Sequence, residues 1–370
     1  MGFFLDVFGF NEETGKGYSQ TQKNLLDKAT FQTISTKDES YFRERCDFKV
    51  SDDKYVSAGI FSMPSVKELR QHAQCLKDKN EGRGERCKIS VKNIVGEARS
   101  LHTTNAVSNK SKSTVIVQAA SQFNFLEFPS PDCNPEHGIS SYIFDRTQGP
   151  ACAIACAAGT AYRNYLVPVP FNLKQRAERG QTRNNQLNGL SDVKEYLFRE
   201  KGIRPWKVKN GYFEATRENL TIFNGLLRRD ESMRENILCE LRIALQENTA
   251  VTDDLDFNTQ VTQTYNSALS IAYSQLWDKS LWQPLSQIVL DATYEATLLA
   301  AVVQSYETKR TPIVYLTKVG GGAFGNESIW IRQAIGRAIQ AVEGYNISLD
   351  IRIVHFRSIE PEFIVLERKK

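Results

Sequence analysis

The chain contains 370 residues, 41% of them hydrophobic and 24% charged, which is typical of a soluble globular protein with one large domain or two. Its formal net charge of +4 at pH 7 is small, and this argues against nucleic acid as the main partner. The 7 cysteines show no paired spacing, which indicates reduced thiols and a cytoplasmic location. No apolar run reaches the length of a transmembrane helix, so no membrane partner is expected.

The first 110 residues carry few chemical signals. Their clearest feature is a capping box, in which Ser65 and Glu68 begin a helix. We therefore treat residues 1–110 as an N-terminal extension that packs on the core or completes it, and residues 111–370 as the main domain. Cys152 and Cys156 are four residues apart in the sequence, but histidine is scarce, so both are assigned to packing and no metal site is expected.

A strand followed by small residues opens the main domain. Val115–Val117 is a short apolar run, typical of a buried strand, and the small residues after it allow a ligand to approach the backbone. The long loop Phe125–Gln148 follows, and Pro150 lies in the first turn of the next helix. The candidate ligand-binding residues in this part of the chain are Gln118, Ala119, Ser121, Asn124, Thr147, Gln148 and Gly149.

A mainly helical insertion is predicted at about residues 168–250. Glu231–Gln246 has the pattern of an amphipathic helix, and Asn210-Gly211 between β-forming residues predicts a hairpin turn. After the insertion the chain alternates strand and helix, with a long helix over Leu285–Ser305. This order predicts an α/β fold in three layers, a mixed sheet flanked by helices.

The most informative stretch is Thr311–Val342, which has the pattern of a strand, a glycine loop and a helix. Ile313–Leu316 is an unbroken apolar run, four glycines follow within six residues, and Asn326 is the expected N-cap of the helix. Backbone N–H groups in such a loop, together with a helix N-terminus, bind anions such as a phosphate or a diphosphate. The candidate residues of this anion site are Gly320, Gly321, Gly322, Ala323, Phe324, Gly325 and Asn326.

The same glycines allow a second interpretation. Gly320, Gly322 and Gly325 match the G-x-G-x-x-G pattern of dinucleotide sites. That fingerprint normally opens a fold and is followed by several strand–helix units. Only one strand, Leu349–Phe356, remains after this loop, so a nicotinamide-dependent oxidoreductase is the less favoured alternative.

Four carboxylates lie in the long loop, at Glu127, Asp132, Glu136 and Asp145. Acidic residues are common in solvated loops, and solvation alone accounts for them without any chemistry. However, this loop lies between two sites of backbone approach, at an edge where open α/β sheets bind ligands. Carboxylates would repel a diphosphate, so they are expected to contact the other end of the ligand: a sugar hydroxyl, a water molecule or a cationic leaving group.

Taken together, these motifs resemble the macrodomain family. The segment YLTKVGGGAFGNESIWIRQAIGRAI is similar to the family's strand, phosphate loop and helix, VIVQAASQFN to its first binding strand, and TQGPACAI to its second glycine loop. Gln118 and Ser121 stand where the common pattern has asparagine, and the acidic loop replaces the usual glycine triplet. With these departures, the chain more closely resembles the divergent group of MavL-type arginine-specific ADP-ribosylhydrolases.

The resemblance implies ADP-ribose as ligand and product, with no cofactor and no metal. Gly320–Asn326 would hold the diphosphate, and Phe356 at the end of the last strand would stack on adenine. Asp132 and Asp145, with Glu127 beside them, would hold the proximal ribose, orient a water molecule and face the arginine of an ADP-ribosylated protein.

Two further functions remain open besides the oxidoreductase. A non-catalytic macrodomain that reads ADP-ribose would share the phosphate loop without needing the acidic loop. A structural or interaction protein with a degenerate pocket would bind no nucleotide. The expected function is hydrolysis of mono-ADP-ribosyl-arginine on a protein, and the ADP-ribose reader is the main alternative.

Overall fold

The computed structural model describes residues 2–34, 41–80, 88–107, 114–171, 178–254 and 256–368. The strands are β1 (Ala29–Ile34), β2 (Arg43–Ser51), β3 (Lys54–Ser62), β4 (Ile89–Val95), β5 (Val115–Ala120), β6 (Pro168–Val169), β7 (Glu178–Arg179), β8 (Lys207–Lys209), β9 (Tyr212–Glu214), β10 (Ala244–Ala250), β11 (Gln260–Asn266), β12 (Ile313–Leu316) and β13 (Leu349–His355). The helices are α1 (Phe3–Phe8), α2 (Tyr18–Leu26), α3 (Val66–Lys79), α4 (Ser100–Val107), α5 (Gln148–Ala155), α6 (Ala157–Ala161), α7 (Ser191–Lys201), α8 (Arg217–Arg229), α9 (Glu231–Glu240), α10 (Lys279–Thr308) and α11 (Ser328–Val342).

A single mixed sheet organises the described part of the chain. Its strand order is β1-β2-β3-β10-β11-β5-β12-β13-β4. The strands from β11 to β4 in this order are parallel to one another, whereas β1, β2, β3 and β10 pair antiparallel. The central strands β5 and β12 are buried along almost their whole length, which explains why both are apolar runs without alternation.

Helices cover both faces of the sheet. The longest, α10, packs against α3, α8, α9 and α11 on one face, and α1, α2, α5 and α6 lie with the second hydrophobic core on the other face. By length and composition α10 would suffice to cross a membrane, but 94% of its most apolar segment is buried inside the protein, as expected for a core helix. The expected three-layer α/β fold, a mixed sheet flanked by helices, is confirmed.

The first 110 residues contribute to both ends of this sheet. Strands β1, β2 and β3 form one end, and β4 pairs with β13 at the other. The strands of this segment were not predicted, although the capping box of Ser65 and Glu68 at the start of α3 is present as expected. The sheet therefore crosses the boundary that we placed at residue 110.

Two local predictions in the main domain are wrong, and one is confirmed. The helix predicted over Glu231–Gln246 ends at Glu240, because Leu245 and its neighbours pair with β3 and β11 instead. Asn326 does not cap α11, which begins at Ser328. The hairpin at Asn210-Gly211 forms between β8 and β9, with φ angles of 47° and 80° at the two turn residues.

Candidate functional site

A cavity of about 910 Å³ lies where the parallel strands of the sheet end. Each of these strands contributes a residue at or just after its carboxyl end to the lining: Gly96 after β4, Ala120 in β5, Ala268 after β11, Thr317 after β12 and Phe356 after β13. In open α/β sheets this edge is where ligands bind. The cavity is therefore the candidate functional site.

The glycine loop after β12 forms one wall of the cavity. Gly320 has a φ of 75°, and a Cβ there would lie 2.4 Å from the Cβ of Ala268, so both the backbone conformation and the packing require glycine. The Asn326 side chain donates to the carbonyls of Leu269 and Gly320, at 2.9 and 3.2 Å. Asn326 therefore fixes the shape of the loop from behind and does not face the cavity.

Three successive backbone N–H groups in this loop remain free. Gly322, Ala323 and Phe324 line the cavity, and in the described part of the chain their N–H groups have no hydrogen-bond acceptor. By contrast, the N–H groups of Gly321 and Gly325 are used within the loop, donating to Lys318 and Gly322. Free successive N–H groups beside a cavity make an anion-binding concavity.

A lysine and an aromatic cluster flank these N–H groups. Lys318 lines the cavity and pairs with Glu360, while burial lowers the pKa of its ammonium group. The ring of Phe324 lies 5.5 Å from that of Tyr212 and 5.7 Å from that of Tyr273, measured between centroids. This cluster gives the cavity an apolar wall next to its cationic and N–H groups.

A second wall of the cavity is the N-terminus of α5, which lies against β5. The Gln148 side chain accepts from the N–H of Ala120 at 2.6 Å and donates to the carbonyl of Gln118 at 2.9 Å. A Cβ at Gly149 would lie 2.2 Å from the carbonyl oxygen of Ala120, so only glycine permits this approach. Close packing of helix and strand brings the first turn of α5 to the cavity.

Glu127 lies beneath this contact and is buried, with a relative exposure of 1%. Its Oε1 accepts from Nη2 of Arg163 at 3.3 Å, and its backbone N–H donates to the hydroxyl of Tyr142 at 3.0 Å. Its Oε2 is also buried and has no hydrogen-bond partner among the described residues. Glu127 belongs to the cavity lining, and among the described residues its Oε2 is the carboxyl oxygen without a hydrogen-bond partner.

The environment of Glu127 favours its protonated form. Burial raises the pKa of the carboxyl to about 8, although the Arg163 guanidinium opposes the rise. Arg163 comes from a π-helical turn, Tyr162–Leu166, and lies with its Cζ 3.4 Å from the ring centroid of Tyr265. The raised pKa shifts this carboxyl group toward the protonated state that a general acid requires.

The two aspartates expected to be catalytic lie in different places. Asp145 lines the cavity, is half-buried, and accepts from the N–H of Thr147 at 2.8 Å. Asp132 is not in the lining, and its side chain is 87% exposed and pairs with Lys209 at 2.9 Å. The structure therefore brings Asp145 and Glu127 to one cavity and leaves Asp132 outside it.

Most of the other predicted site residues line the cavity, and a minority support it from behind. Gln118 is fully buried, and its Oε1 accepts from the N–H of Thr317 at the base of the glycine loop, at 3.1 Å. Asn124 is also fully buried and donates to Gln186 at 2.9 Å. The predicted residues in the lining are Ser121, Glu127, Asp145, Thr147, Gln148, Gly149, Gly320, Gly321, Gly322, Ala323, Phe324 and Phe356. Those outside the lining are Gln118, Ala119, Asn124, Asp132, Gly325 and Asn326.

Several lining residues were missed by the sequence interpretation. Tyr212 and Tyr273 reach the cavity from segments far from either loop, and no local pattern identifies them. Residues 96–99 also line it, and here a signal exists, because Gly96 directly follows the apolar strand β4. Among the described residues, no group of His, Cys, Asp and Glu is arranged to hold a metal ion.

No family model and no curated protein matches this chain. Among solved structures, it is similar to poly(ADP-ribose) glycohydrolase from Deinococcus radiodurans in complex with ADP-ribose, with a TM-score of 0.38 and 10% identity over 82% of this chain and 91% of that one. It is also similar to poly(ADP-ribose) glycohydrolase from Thermomonospora curvata bound to the inhibitor ADP-HPD, with a TM-score of 0.35 and 11% identity over 83% of this chain and 84% of that one. Similarity at this level does not assign a function to the chain.

These findings correct one expectation. The structures that match are poly(ADP-ribose) glycohydrolases, a different family from the MavL-type arginine-specific hydrolases, so the resemblance to that group is wrong. The sequence motifs behind it describe a strand, a phosphate loop and a helix, and such a unit does not distinguish one group of ADP-ribose enzymes from another.

Proposed function

We propose that the cavity binds ADP-ribose and that the protein hydrolyses a glycosidic bond to its ribose. The observation that carries the proposal is Glu127, a buried residue of the cavity lining. Its Oε2 has no hydrogen-bond partner among the described residues, and the pKa of its carboxyl group is raised to about 8. A site that only binds ADP-ribose has no need of a protonated acid in this position. The proposal depends on the geometry of the cavity and on no single relative.

The diphosphate has a defined place in this proposal. The N–H groups of Gly322, Ala323 and Phe324, which have no acceptor among the described residues, would donate to its oxygens, and the Lys318–Glu360 pair lies nearby. Phe324 and the tyrosines around it would pack against the adjoining ribose. This arrangement leaves the second wall of the cavity, with Glu127 and Asp145, for the anomeric carbon.

The reaction then needs one proton donor and one water molecule. Glu127 donates its proton to the leaving atom as the bond from that atom to the anomeric carbon breaks. The oxygen of a water molecule bonds to the same carbon, and the proton that the water loses passes to a base. Asp145 is the candidate base, because it is the second carboxylate of the acidic loop in the cavity lining.

The linkage is a finer part of the same proposal. Mono-ADP-ribose on arginine is one candidate substrate, in which the leaving atom is a guanidine nitrogen, and a ribose–ribose bond of an ADP-ribose polymer is another. The protonated acid suits both, since each leaving group departs more easily when it is protonated. The described lining residues do not favour one of these two linkages over the other. The experiment below therefore uses both substrates, an arginine-linked mono-ADP-ribose and an ADP-ribose polymer.

The decisive experiment compares the parent protein with Glu127→Gln. The variant keeps the shape of the side chain but has no acidic proton, so we expect hydrolysis to fall roughly 10²–10⁴-fold. Its affinity for ADP-ribose, measured by calorimetric titration, should stay unchanged because the glycine loop is untouched. The parent should also lose activity as the pH rises above about 8, where Glu127 releases its proton.

Glu136→Gln is the matched control, since Glu136 lies in the same loop, accepts from the N–H of Arg183 at 3.0 Å and does not line the cavity. It should hydrolyse like the parent. NAD titrated alongside should bind more weakly than ADP-ribose. If the protein binds ADP-ribose but releases it from no linkage, the protein is a non-catalytic ADP-ribose reader and the proposed hydrolase activity is wrong. If it does not bind ADP-ribose, both the hydrolase and the reader hypotheses are wrong.

A further inference from the structure

We propose that Glu12, in the N-terminal segment, is a positioning residue for the acid Glu127. This inference rests on the proposed function and deepens it. Glu12 lies 115 positions before Glu127 in the sequence and in a segment without recognisable chemistry of its own. Its side chain nevertheless reaches the loop that carries the acidic residues of the site.

The Glu12 carboxylate accepts three hydrogen bonds from residues that are far away in the sequence. The N–H groups of Ile139 and Ser140 donate to its two oxygens at 2.8 and 2.7 Å. The hydroxyl of Tyr165 donates to Oε1 at 2.7 Å. Two successive N–H groups bound by one carboxylate fix the direction of the backbone at that point, and hydrogen bonds to a charged acceptor are stronger than those between neutral groups.

Gly138 makes this contact possible. It has a φ of 73°, and a Cβ there would lie 2.7 Å from Cδ of Glu12 and 2.6 Å from Cγ2 of Thr14. Any larger residue at this position would separate the N-terminal segment from the loop. The backbone conformation and the close approach together indicate that the loop is shaped to receive Glu12.

One short turn connects the residues bound by Glu12 to the residue that contacts Glu127. Ile139 and Ser140 begin a 3₁₀ turn, Ser140–Phe144, which carries Tyr142. Tyr142 is buried, packs with its ring 5.3 Å from that of Phe128, and accepts the N–H of Glu127 through its hydroxyl at 3.0 Å. Glu12 therefore sets the position of the turn, and the turn sets the position of Glu127 through Tyr142.

The same turn also leads into the cavity wall. Ile143 and Asp145 both line the cavity and lie directly beyond Tyr142. By contrast, among the described residues no hydrogen bond joins the glycine loop to this turn. A change at Glu12 should consequently disturb the catalytic wall and leave the phosphate-binding wall in place.

Glu12→Gln tests this separation. The amide has only one oxygen, so one of the two N–H groups would face an NH₂ group and lose its acceptor. We expect kcat to fall roughly tenfold, since small displacements of catalytic groups have effects of this size or larger. The affinity for ADP-ribose should not change. Glu13→Gln is the matched control, because Glu13 is the adjacent carboxylate and its side chain lies against Gly17 instead of the loop; it should behave like the parent.

A second measurement does not depend on activity. Amide hydrogen exchange should become faster at Ile139, Ser140 and Glu127 in Glu12→Gln, and should stay unchanged in the glycine loop. Equal losses of kcat and ADP-ribose affinity, or unchanged exchange at Glu127, would overturn the positioning role. If the parent binds ADP-ribose without hydrolysing it, the proposed hydrolase function is wrong. The exchange measurement then still decides whether Glu12 positions Glu127, so each proposal can be refuted without the other.

Discussion

The glycine loop and the acidic loop both line one cavity, but they are held in different ways. The glycine loop, 317–327, is shaped by hydrogen bonds between its own backbone groups, and Gln118 and Tyr294 anchor its base. The acidic loop, 125–148, is fixed by side chains from distant parts of the chain. Those side chains include Glu12, Asn164, Arg163, Lys209, Asn210 and Tyr212.

This difference decides which residues are free to act. In the glycine loop, three N–H groups have no acceptor among the described residues and are available to a ligand. In the acidic loop, Asp132 and Glu136 are occupied with Lys209 and the N–H of Arg183, so carboxylates that seem equivalent in the sequence have different roles. Only Glu127 and Asp145 of the four lie in the cavity lining.

The largest effect should come from a negative charge in the glycine loop. A Cβ added at Gly322 would have no heavy atom of the described residues within 4 Å, and the residue has no positive φ, so Gly322→Asp should fold normally. Its carboxylate would face the bound diphosphate, and like charges brought together cost several kcal/mol, or roughly a hundredfold or more in affinity. Calorimetric titration with ADP-ribose measures the change.

Gly344→Asp is the control for this variant, since Gly344 is equally unobstructed and lies in a turn away from the cavity. It should bind ADP-ribose like the parent. Parental affinity in Gly322→Asp would show that the diphosphate does not lie against this loop.

The sequence specifies the course of the glycine loop more directly than it specifies which carboxylate of the acidic loop lines the cavity, and the reason is physical. A strand, a glycine loop and a helix are local, so the order of residues 311–342 determines where the N–H groups lie. Which carboxylate enters the cavity depends on contacts between segments more than a hundred residues apart, such as Glu12 with Ile139. The role that we propose for Glu127 also depends on its burial, which no spacing in the sequence reports.

A smaller effect should separate the two aspartates. Asp145→Asn removes a charge that lines the cavity, while the amide oxygen can still accept from the N–H of Thr147. If Asp145 is the base, hydrolysis should fall by roughly 10²-fold, the lower end of the range for such groups. Asp132→Asn should leave the rate unchanged, because Asp132 is exposed and outside the cavity lining.

Rates for both variants should be measured with polymer and arginine-linked substrates, and their ADP-ribose affinities should match the parent. A loss in Asp132→Asn with no loss in Asp145→Asn would reverse the assignment that the geometry supports.

The smallest effect concerns stability, and it tests the burial of Glu127 without any ligand. The folded pKa is about 8 and the ordinary value is 4.5, so between these limits the folded protein holds a proton that the unfolded chain has released. Stability then falls as the pH rises through this window and is unaffected by this group below it. One bound proton is worth about 1.4 kcal/mol per pH unit at most.

Urea unfolding of the parent and of Glu127→Gln at about pH 6 and about pH 8 measures this contribution. We expect the parent to lose of order 1–2 kcal/mol more than the variant over this interval, because glutamine has no proton to release. Only the difference between the two slopes matters, since the substitution also changes the contact with Arg163 at every pH. Parallel slopes would mean that Glu127 is ionised at neutral pH beside Arg163, and a carboxylate in that state has no proton to donate to a leaving group.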